Sequence, residues 1–185
     1  MIIALSGKLG SGKTTIAKRL VSEHGFRKIS FAGPLKEACR AIFGFTDEQL
    51  YGSLKKEIDP FWWLSPGRVL QLVGTELFRV HFDSEVWVKS LIRTVQLEQN
   101  IAWVVDDMRF PNELEAIKKL GGVLIRVERP EAVLDARDLA HPSETSLDNY
   151  KDWSFVISND GSMEELIDQV DRLVIELRST ANSTN

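Results

Sequence analysis

Eight residues near the N-terminus, Gly7-Lys8-Leu9-Gly10-Ser11-Gly12-Lys13-Thr14, satisfy the pattern G-x-x-x-x-G-K-[ST]. Glycine reaches backbone conformations closed to other residues and lets a phosphate approach the main chain. The N–H groups of such a loop, with those opening the next helix, form a nest for anions. The candidates for a bound triphosphate are Gly7, Leu9, Gly10, Ser11, Gly12, Lys13 and Thr14 within the pattern, and Thr15 directly after it. Lys13 then reaches the β- and γ-phosphates, and the Thr14 hydroxyl is a ligand for Mg²⁺. The loop alone leaves a kinase, a GTPase, an ATPase motor and a nucleotide-binding module open. No guanine-reading N-K-x-D stretch occurs, which argues against a switch-type GTPase.

A second group of charges follows the apolar run Ile101 to Val105. It reads Asp106-Asp107-Met108-Arg109-Phe110-Pro111-Asn112-Glu113. Open α/β sheets bind ligands in the crevice beyond the carboxyl ends of their strands. Asp106 or Asp107 there could serve Mg²⁺ through a water or orient an acceptor, and Arg109 could grip a phosphate. The plainer alternative is a strand end whose carboxylates pair with Arg109. Arg126, Arg129 and Arg137 bracket a later stretch that runs into His141-Pro142-Ser143-Glu144, and residues 129–146 have the length and polarity of a lid. Arginine suits phosphate because it stays charged and forms forked bonds. Between these groups, Arg68, Gln71 and Thr75 recur at three- and four-residue spacing and share one helix face, while Leu70, Val73 and Leu77 share another. Trp62, Trp63 and Trp87 are open to base stacking or to packing.

These side chains need a scaffold to converge. Ile2 to Leu5, Ile101 to Val105, Val123 to Val127 and Phe155 to Ile157 are continuous apolar runs, as expected of strands covered on both faces; Arg27 to Phe31 is a weaker strand. Helices are expected over Lys13 to His24, stopped by Gly25, over Asn112 to Leu120 behind Pro111, and from Ser162 along the stripe Leu166, Ile167, Val170, Leu173, Val174 and Leu177. Alternating strands and helices predict a parallel sheet with right-handed crossovers. Residues 31–100 break that alternation. They read as a helical insertion with pieces at Leu35 to Ile42, Arg68 to Phe82 and Ser84 to Leu97.

The 185 residues, 43% hydrophobic and 27% charged, suit one globular domain over 1–178 with a frayed polar tail at 179–185. A formal charge of −4 without a basic run argues against a duplex-DNA binder. One cysteine, Cys39, permits neither an internal disulfide nor a multi-cysteine zinc site, which fits a reducing, cytoplasmic setting. No apolar stretch approaches the length of a membrane span.

Together these segments resemble the deoxynucleoside monophosphate kinases known chiefly from bacteriophages. The resemblance rests on the phosphate loop, Ser30-Phe31-Ala32-Gly33-Pro34-Leu35-Lys36, Gly67-Arg68 through Gly74-Thr75-Glu76 to Arg79, Asp107 to Glu113, His141 to Glu144, and Ser158-Asn159-Asp160-Gly161. It implies a three-layer α/β P-loop kinase fold: a five-stranded parallel sheet, a monophosphate-binding insertion over 31–100, and a lid. It also implies transfer of the γ-phosphoryl group of ATP, with Mg²⁺, to a deoxynucleoside monophosphate. On that reading Lys13, Asp107, Arg109, Arg129 and Arg137 act at the reacting phosphates. Asn159 and Gly161 border ATP. Lys36, Arg68, Gln71, Thr75, Arg79, Trp87, Asp106, Arg109, His141 and Glu144 face the acceptor, and Thr14 and Asp106 serve the metal. Small-molecule nucleotides are the expected partners, without nucleic acid or membrane; a homodimer is left open, and a phage-encoded protein would work in the host cytoplasm. A different small acceptor, such as dephospho-coenzyme A, and a non-catalytic ATP-binding module remain alternatives.

Overall fold

The computed structural model describes residues 1–130 and 142–182. Five strands, β1 (Ile2–Ser6), β2 (Arg27–Ile29), β3 (Trp103–Val105), β4 (Val123–Glu128) and β5 (Phe155–Ser158), form one sheet in the order β2-β3-β1-β4-β5. Every pairing is parallel, with Ile3 opposite both Val104 and Val123, and Val127 opposite Ile157. β1 lies at the centre and all five of its residues are buried, which is why its sequence is apolar without alternation.

Helix α1 (Lys13–His24) starts from Gly12 and stops at Gly25, both at positive φ. Helix α6 (Pro111–Lys119) begins on a proline, which suits a first turn with no use for that N–H. A short helix α7 (Pro142–Thr145) precedes β5, and α8 (Met163–Asn182) closes the chain. The Ser162 hydroxyl accepts from the Glu165 N–H at 3.2 Å, and the Glu165 carboxylate accepts from the Ser162 N–H at 2.7 Å, a reciprocal cap for α8. Ile3, Leu5, Ile16, Leu20, Val104, Ile125, Leu166 and Val170 are buried together between the sheet and these helices.

The chain divides into two compact units, one comprising Met1–Ile29 and Val95–Asn185, the other Ser30–Thr94. The second unit contains α2 (Gly33–Phe43), α3 (Asp47–Tyr51), a 3₁₀ turn at Ser53–Lys56, α4 (Pro66–Gln71), a π-helical stretch at Leu72–Val80, and most of α5 (Val86–Leu97). It has its own core of Leu35, Cys39, Phe45, Leu50, Val69, Leu70 and Trp87.

Three expectations change. β3 starts at Trp103, because the Ile101 N–H is turned back onto the Glu98 carbonyl at 3.3 Å and does not join the ladder. The helix expected over Arg68 to Phe82 is α-wound only to Gln71. Beyond that, the Gly74 carbonyl accepts from the Trp87 indole at 3.1 Å, and a Cβ on Gly74 would lie 2.5 Å from Leu35 Cδ2. Both contacts fall inside the π-wound stretch Leu72–Val80, and a side chain that engages the helical ladder is a recognised cause of departure from regular winding. Finally, 179–182 is helical rather than a frayed tail. The Ser179 and Thr180 hydroxyls donate back to the carbonyls of Ile175 and Glu176 at 2.8 and 2.7 Å, which satisfies them within the helix at the small cost that such back-bonding carries.

Candidate active site

Gly7 and Gly12 of the loop are enforced by contact as well as by backbone conformation. Gly7 has φ +149° and a Cβ there would lie 2.3 Å from the Val127 carbonyl oxygen; Gly12 has φ +108° and its Cβ would lie 2.6 Å from Asn159 Nδ2. Asn159, at the end of β5, donates from Nδ2 to the Ser11 carbonyl at 2.9 Å and from its N–H to the Glu128 carbonyl at 2.7 Å. The loop is thereby fixed between two strand ends. Leu9, Gly10, Ser11, Gly12, Lys13, Thr14 and Thr15 line a cavity of about 450 Å³ whose other walls include Asp106, Arg109, Arg129, Asn159 and Gly161.

Lys13 is buried and donates to the carbonyls of Gly7 and Lys8 at 2.6 and 2.7 Å. Burial, followed by the positive charges of Arg109 and Arg126, lowers its pKa to about 8, against the opposing pull of Asp106. The ammonium is therefore held at an energetic cost in a positive field, the condition under which an arriving polyanion gains most. Arg109 too has its pKa lowered by burial, against the pull of Asp107, Glu113 and Asp106.

Local hydrogen bonds build the second group. Asp106 follows β3 and its largely buried carboxylate meets Lys28 Nζ at 2.6 Å. Glu113, in the first turn of α6, is buried and accepts from the N–H groups of Arg109 and Phe110 at 2.8 and 3.1 Å. It therefore shapes the turn that presents Arg109. The Glu144 carboxylate accepts from the Arg109 guanidinium and, at 2.7 Å, from the Leu9 N–H. Lys8 Nζ reaches the Glu144 carbonyl at 2.6 Å and the Asp148 carboxylate at 2.5 Å, while Arg126 Nη2 meets Asp148 at 3.1 Å. Burial alone would raise the Asp148 pKa; hydrogen bonds from Lys8 and Arg126 more than reverse this and hold it below the ordinary carboxylate range.

The first unit thus brings together Lys13, Thr14, Asp106, Arg109, Arg129, Asn159 and Gly161 around one cavity. Asp107, carried by the same turn, adds negative charge near Arg109. Arg137 and His141 lie outside the described residues. Among the described residues no group of three or more His, Cys, Asp or Glu is arranged to hold a metal ion. Lys8, Lys28, Glu113 and Asp148 were assigned no role from sequence. Of these, Glu113 had a readable signal, a carboxylate two residues after the helix-opening Pro111.

The Ser30–Thr94 unit carries the other candidates. Arg68 is exposed and pairs with Glu76 at 3.3 Å; Gln71 and Thr75 are exposed, and Arg79 is half-buried. Lys36 Nζ stands 3.9 Å from the centre of the Tyr51 ring. Trp87 requires a correction as an acceptor-facing residue. It is 7% exposed, its ring packs against Phe78, and its indole N–H is committed to Gly74. It is a core residue of this unit.

A sequence model of the deoxynucleotide monophosphate kinase family matches residues 55–170. A protein of Acanthamoeba polyphaga mimivirus, provisionally named a deoxynucleotide monophosphate kinase, is 36% identical over 187 residues, covering 92% of this chain and 94% of its own. This chain belongs to the deoxynucleotide monophosphate kinase family. A deoxynucleoside-5′-monophosphate kinase of Escherichia phage T5 is 24% identical, over 80% of this chain and 85% of its own. Among solved structures, the dephospho-CoA kinase of Campylobacter jejuni superposes with a TM-score of 0.57 at 17% identity, covering 95% of this chain and 96% of that one. That likeness is one of fold, and the fold is that of the P-loop kinases. Membership of the family makes the chain a phosphotransferase. No described helix is long and apolar enough to cross a membrane.

Proposed function

We propose that this kinase transfers the γ-phosphoryl group of ATP to a deoxynucleoside 5′-monophosphate. A bond forms between an acceptor phosphate oxygen and the γ-phosphorus, the bond to the β,γ-bridging oxygen breaks, and the products are ADP and the deoxynucleoside diphosphate. One observation carries the reading most directly: buried Lys13 stands in the positive field of Arg109 and Arg126 beside a glycine loop at the ends of β1, β3 and β4. Kinase catalysis is largely positioning and charge stabilisation, with little covalent work for the protein, and this arrangement supplies both.

The loop N–H groups and Lys13 bind and orient the phosphates of ATP. Arg109, its turn held by Glu113, faces the transferred group, and Arg129 contributes from the cavity wall. The family relationship implies Mg²⁺, and the residues fit it. Thr14 and Asp106 are oxygen donors on the cavity, and Mg²⁺ commonly takes one or two protein oxygens together with substrate phosphate and water. Bound there, it would neutralise charge on the β- and γ-phosphates. The Ser30–Thr94 unit is our candidate for the acceptor-binding insertion, with Arg68 and Arg79 on the monophosphate and Lys36, Gln71 and Thr75 nearby on the nucleotide. The names of the viral relatives support a deoxynucleotide acceptor and an intracellular place of action in an infected host.

The deciding experiment is ADP release from ATP–Mg²⁺ in the presence of each deoxynucleoside and ribonucleoside monophosphate in turn. Rapid turnover with at least one deoxynucleotide is expected. Silence across the panel by a protein that still binds ATP would overturn the assigned acceptor.

A further inference from the structure

The acidic residues at 144 and 148 occupy groups that a phosphate would otherwise take. The Glu144 side chain, 7% exposed, accepts from the Leu9 N–H at 2.7 Å and from the Arg109 guanidinium. A loop N–H and a guanidinium on the same cavity are the pair of donors that suits a phosphoryl oxygen. Most loop N–H groups serve the α- and β-phosphates and Lys13 the β- and γ-phosphates, so the terminal group is the one left for the remaining donors on the same cavity, Leu9 and Arg109. The short segment that carries this carboxylate is itself tethered beside the loop. Lys8 Nζ holds the Glu144 carbonyl at 2.6 Å and Asp148 at 2.5 Å, and Arg126 also holds Asp148. Glu144 therefore does not drift at the surface beside the loop but sits on two of its anion donors.

We infer that the Glu144 carboxylate is an internal occupant of the γ-phosphoryl subsite, displaced when the triphosphate binds. The inference rests on the kinase reading above and adds a competitor to it. A carboxylate and a γ-phosphoryl group, both negative, cannot share Leu9 and Arg109. Binding ATP then includes the release of Glu144, whereas ADP, which ends at its β-phosphate, leaves Glu144 in place. The consequence is selective: the free enzyme discriminates against ATP relative to ADP by the strength of an internal contact, and the empty phosphate site carries its own counter-ion.

The test is equilibrium titration of the 185-residue chain, by calorimetry, with ATP–Mg²⁺ and separately with ADP–Mg²⁺ and no acceptor. Glu144→Gln keeps the shape and removes the charge; Glu144→Ala removes the acceptor altogether. Both are expected to bind ATP about tenfold more tightly than the parent protein, the loss of one charge-assisted contact, with ADP affinity changed less than about twofold. That difference between ATP and ADP is something a merely structural Glu144 would not produce. Unchanged or weaker ATP binding in both variants, or equal changes for ATP and ADP, would overturn the inference while leaving the kinase reading intact. Absence of ATP and ADP binding by the parent protein would instead remove the kinase reading, and this inference with it.

Discussion

Around the phosphate loop, Lys8, Lys13, Arg109 and Arg126 are each held by hydrogen bonds to neighbouring carbonyls or carboxylates, and Lys13 is almost fully buried. In the Ser30–Thr94 unit, Arg68 leaves 45% of its side chain exposed and pairs with a still more exposed Glu76. The contrast teaches where charge has been preassembled. Dipoles and cations fixed in a low-dielectric pocket need no reorganisation when a polyanion arrives, so their contribution is large. Exposed cations are screened by water and salt and contribute little to stability. The first region should therefore respond to substitution in catalysis and pH dependence, the second in acceptor recognition and in the packing beneath it.

The sharpest break in that comparison comes from Lys13→Ala. Turnover is expected to fall by about 10²–10³-fold or more, the usual effect of removing a preorganised charge-stabilising group. The melting temperature should hardly move, because the wild-type ammonium is already penalised by burial and by two guanidinium groups. Steady-state kinetics alongside a circular-dichroism melt checks both halves. A folded variant with wild-type turnover would remove Lys13 from the mechanism.

A pH titration follows in size. The Lys13 pKa, about 8 in the folded protein, lies below its ordinary 10.5. Between these values the unfolded chain binds more protons than the folded one, so this group's contribution to stability grows as pH rises through the window. Phosphate binding has the opposite slope, since it needs the ammonium. ATP–Mg²⁺ affinity should fall by about tenfold per pH unit above 8, with proton uptake on binding, and Lys13→Met should flatten the profile. A slope identical in the variant would assign the titration to another group.

The two regions also differ in how far they could be read from sequence. β1, the loop and α1 were legible because apolar runs, glycines and helix limits follow from local chemistry, and Pro111 with Glu113 signalled the start of α6. Asn159 and Gly161 stand in a short motif and line the cavity with the loop. Lys8 and Asp148 were not legible. Their pairing joins residues 140 positions apart, and a lysine beside a glycine loop looks like any surface lysine until the fold brings an acid to it. The π winding at Leu72–Val80 was hidden for a similar reason, since periodicity registers an apolar stripe but not the indole that engages the Gly74 carbonyl. Trp87 misled because a tryptophan beside candidate phosphate ligands has the same composition whether it stacks on a base or fills a core.

Arg68→Ala sharpens the acceptor side. If this exposed guanidinium meets the monophosphate, its loss should raise KM for the deoxynucleotide by about tenfold, as for one charge-assisted bond, while KM for ATP stays near the parent value. The Arg68–Glu76 contact is exposed, so the melt should not change measurably. Glu76→Ala, which frees Arg68 without removing it, should leave KM unchanged or lower it. A rise in KM for both substrates after Arg68→Ala would contradict the division of labour between the two regions.

The smallest effects compare two buried tryptophans, one from each unit. The Trp87 indole donates to the Gly74 carbonyl at 3.1 Å, whereas Trp103 Nε1 is buried with no hydrogen-bond partner among the described residues. Substitution by phenylalanine keeps an aromatic ring in each place and removes one N–H. Trp87→Phe should cost about 1–2 kcal/mol, because it strips a buried carbonyl of its donor, and should lower the melting temperature by about 2–8 °C. Trp103→Phe removes a donor that was already unsatisfied, so the lost ring volume is offset by relief of desolvation and the melt should move less. Thermal denaturation of the two variants under identical conditions makes the comparison. A larger loss at Trp103 would mean that ring packing in the sheet, under the Arg27 guanidinium 4.9 Å above it, outweighs the hydrogen bond that accompanies the π winding in the other unit.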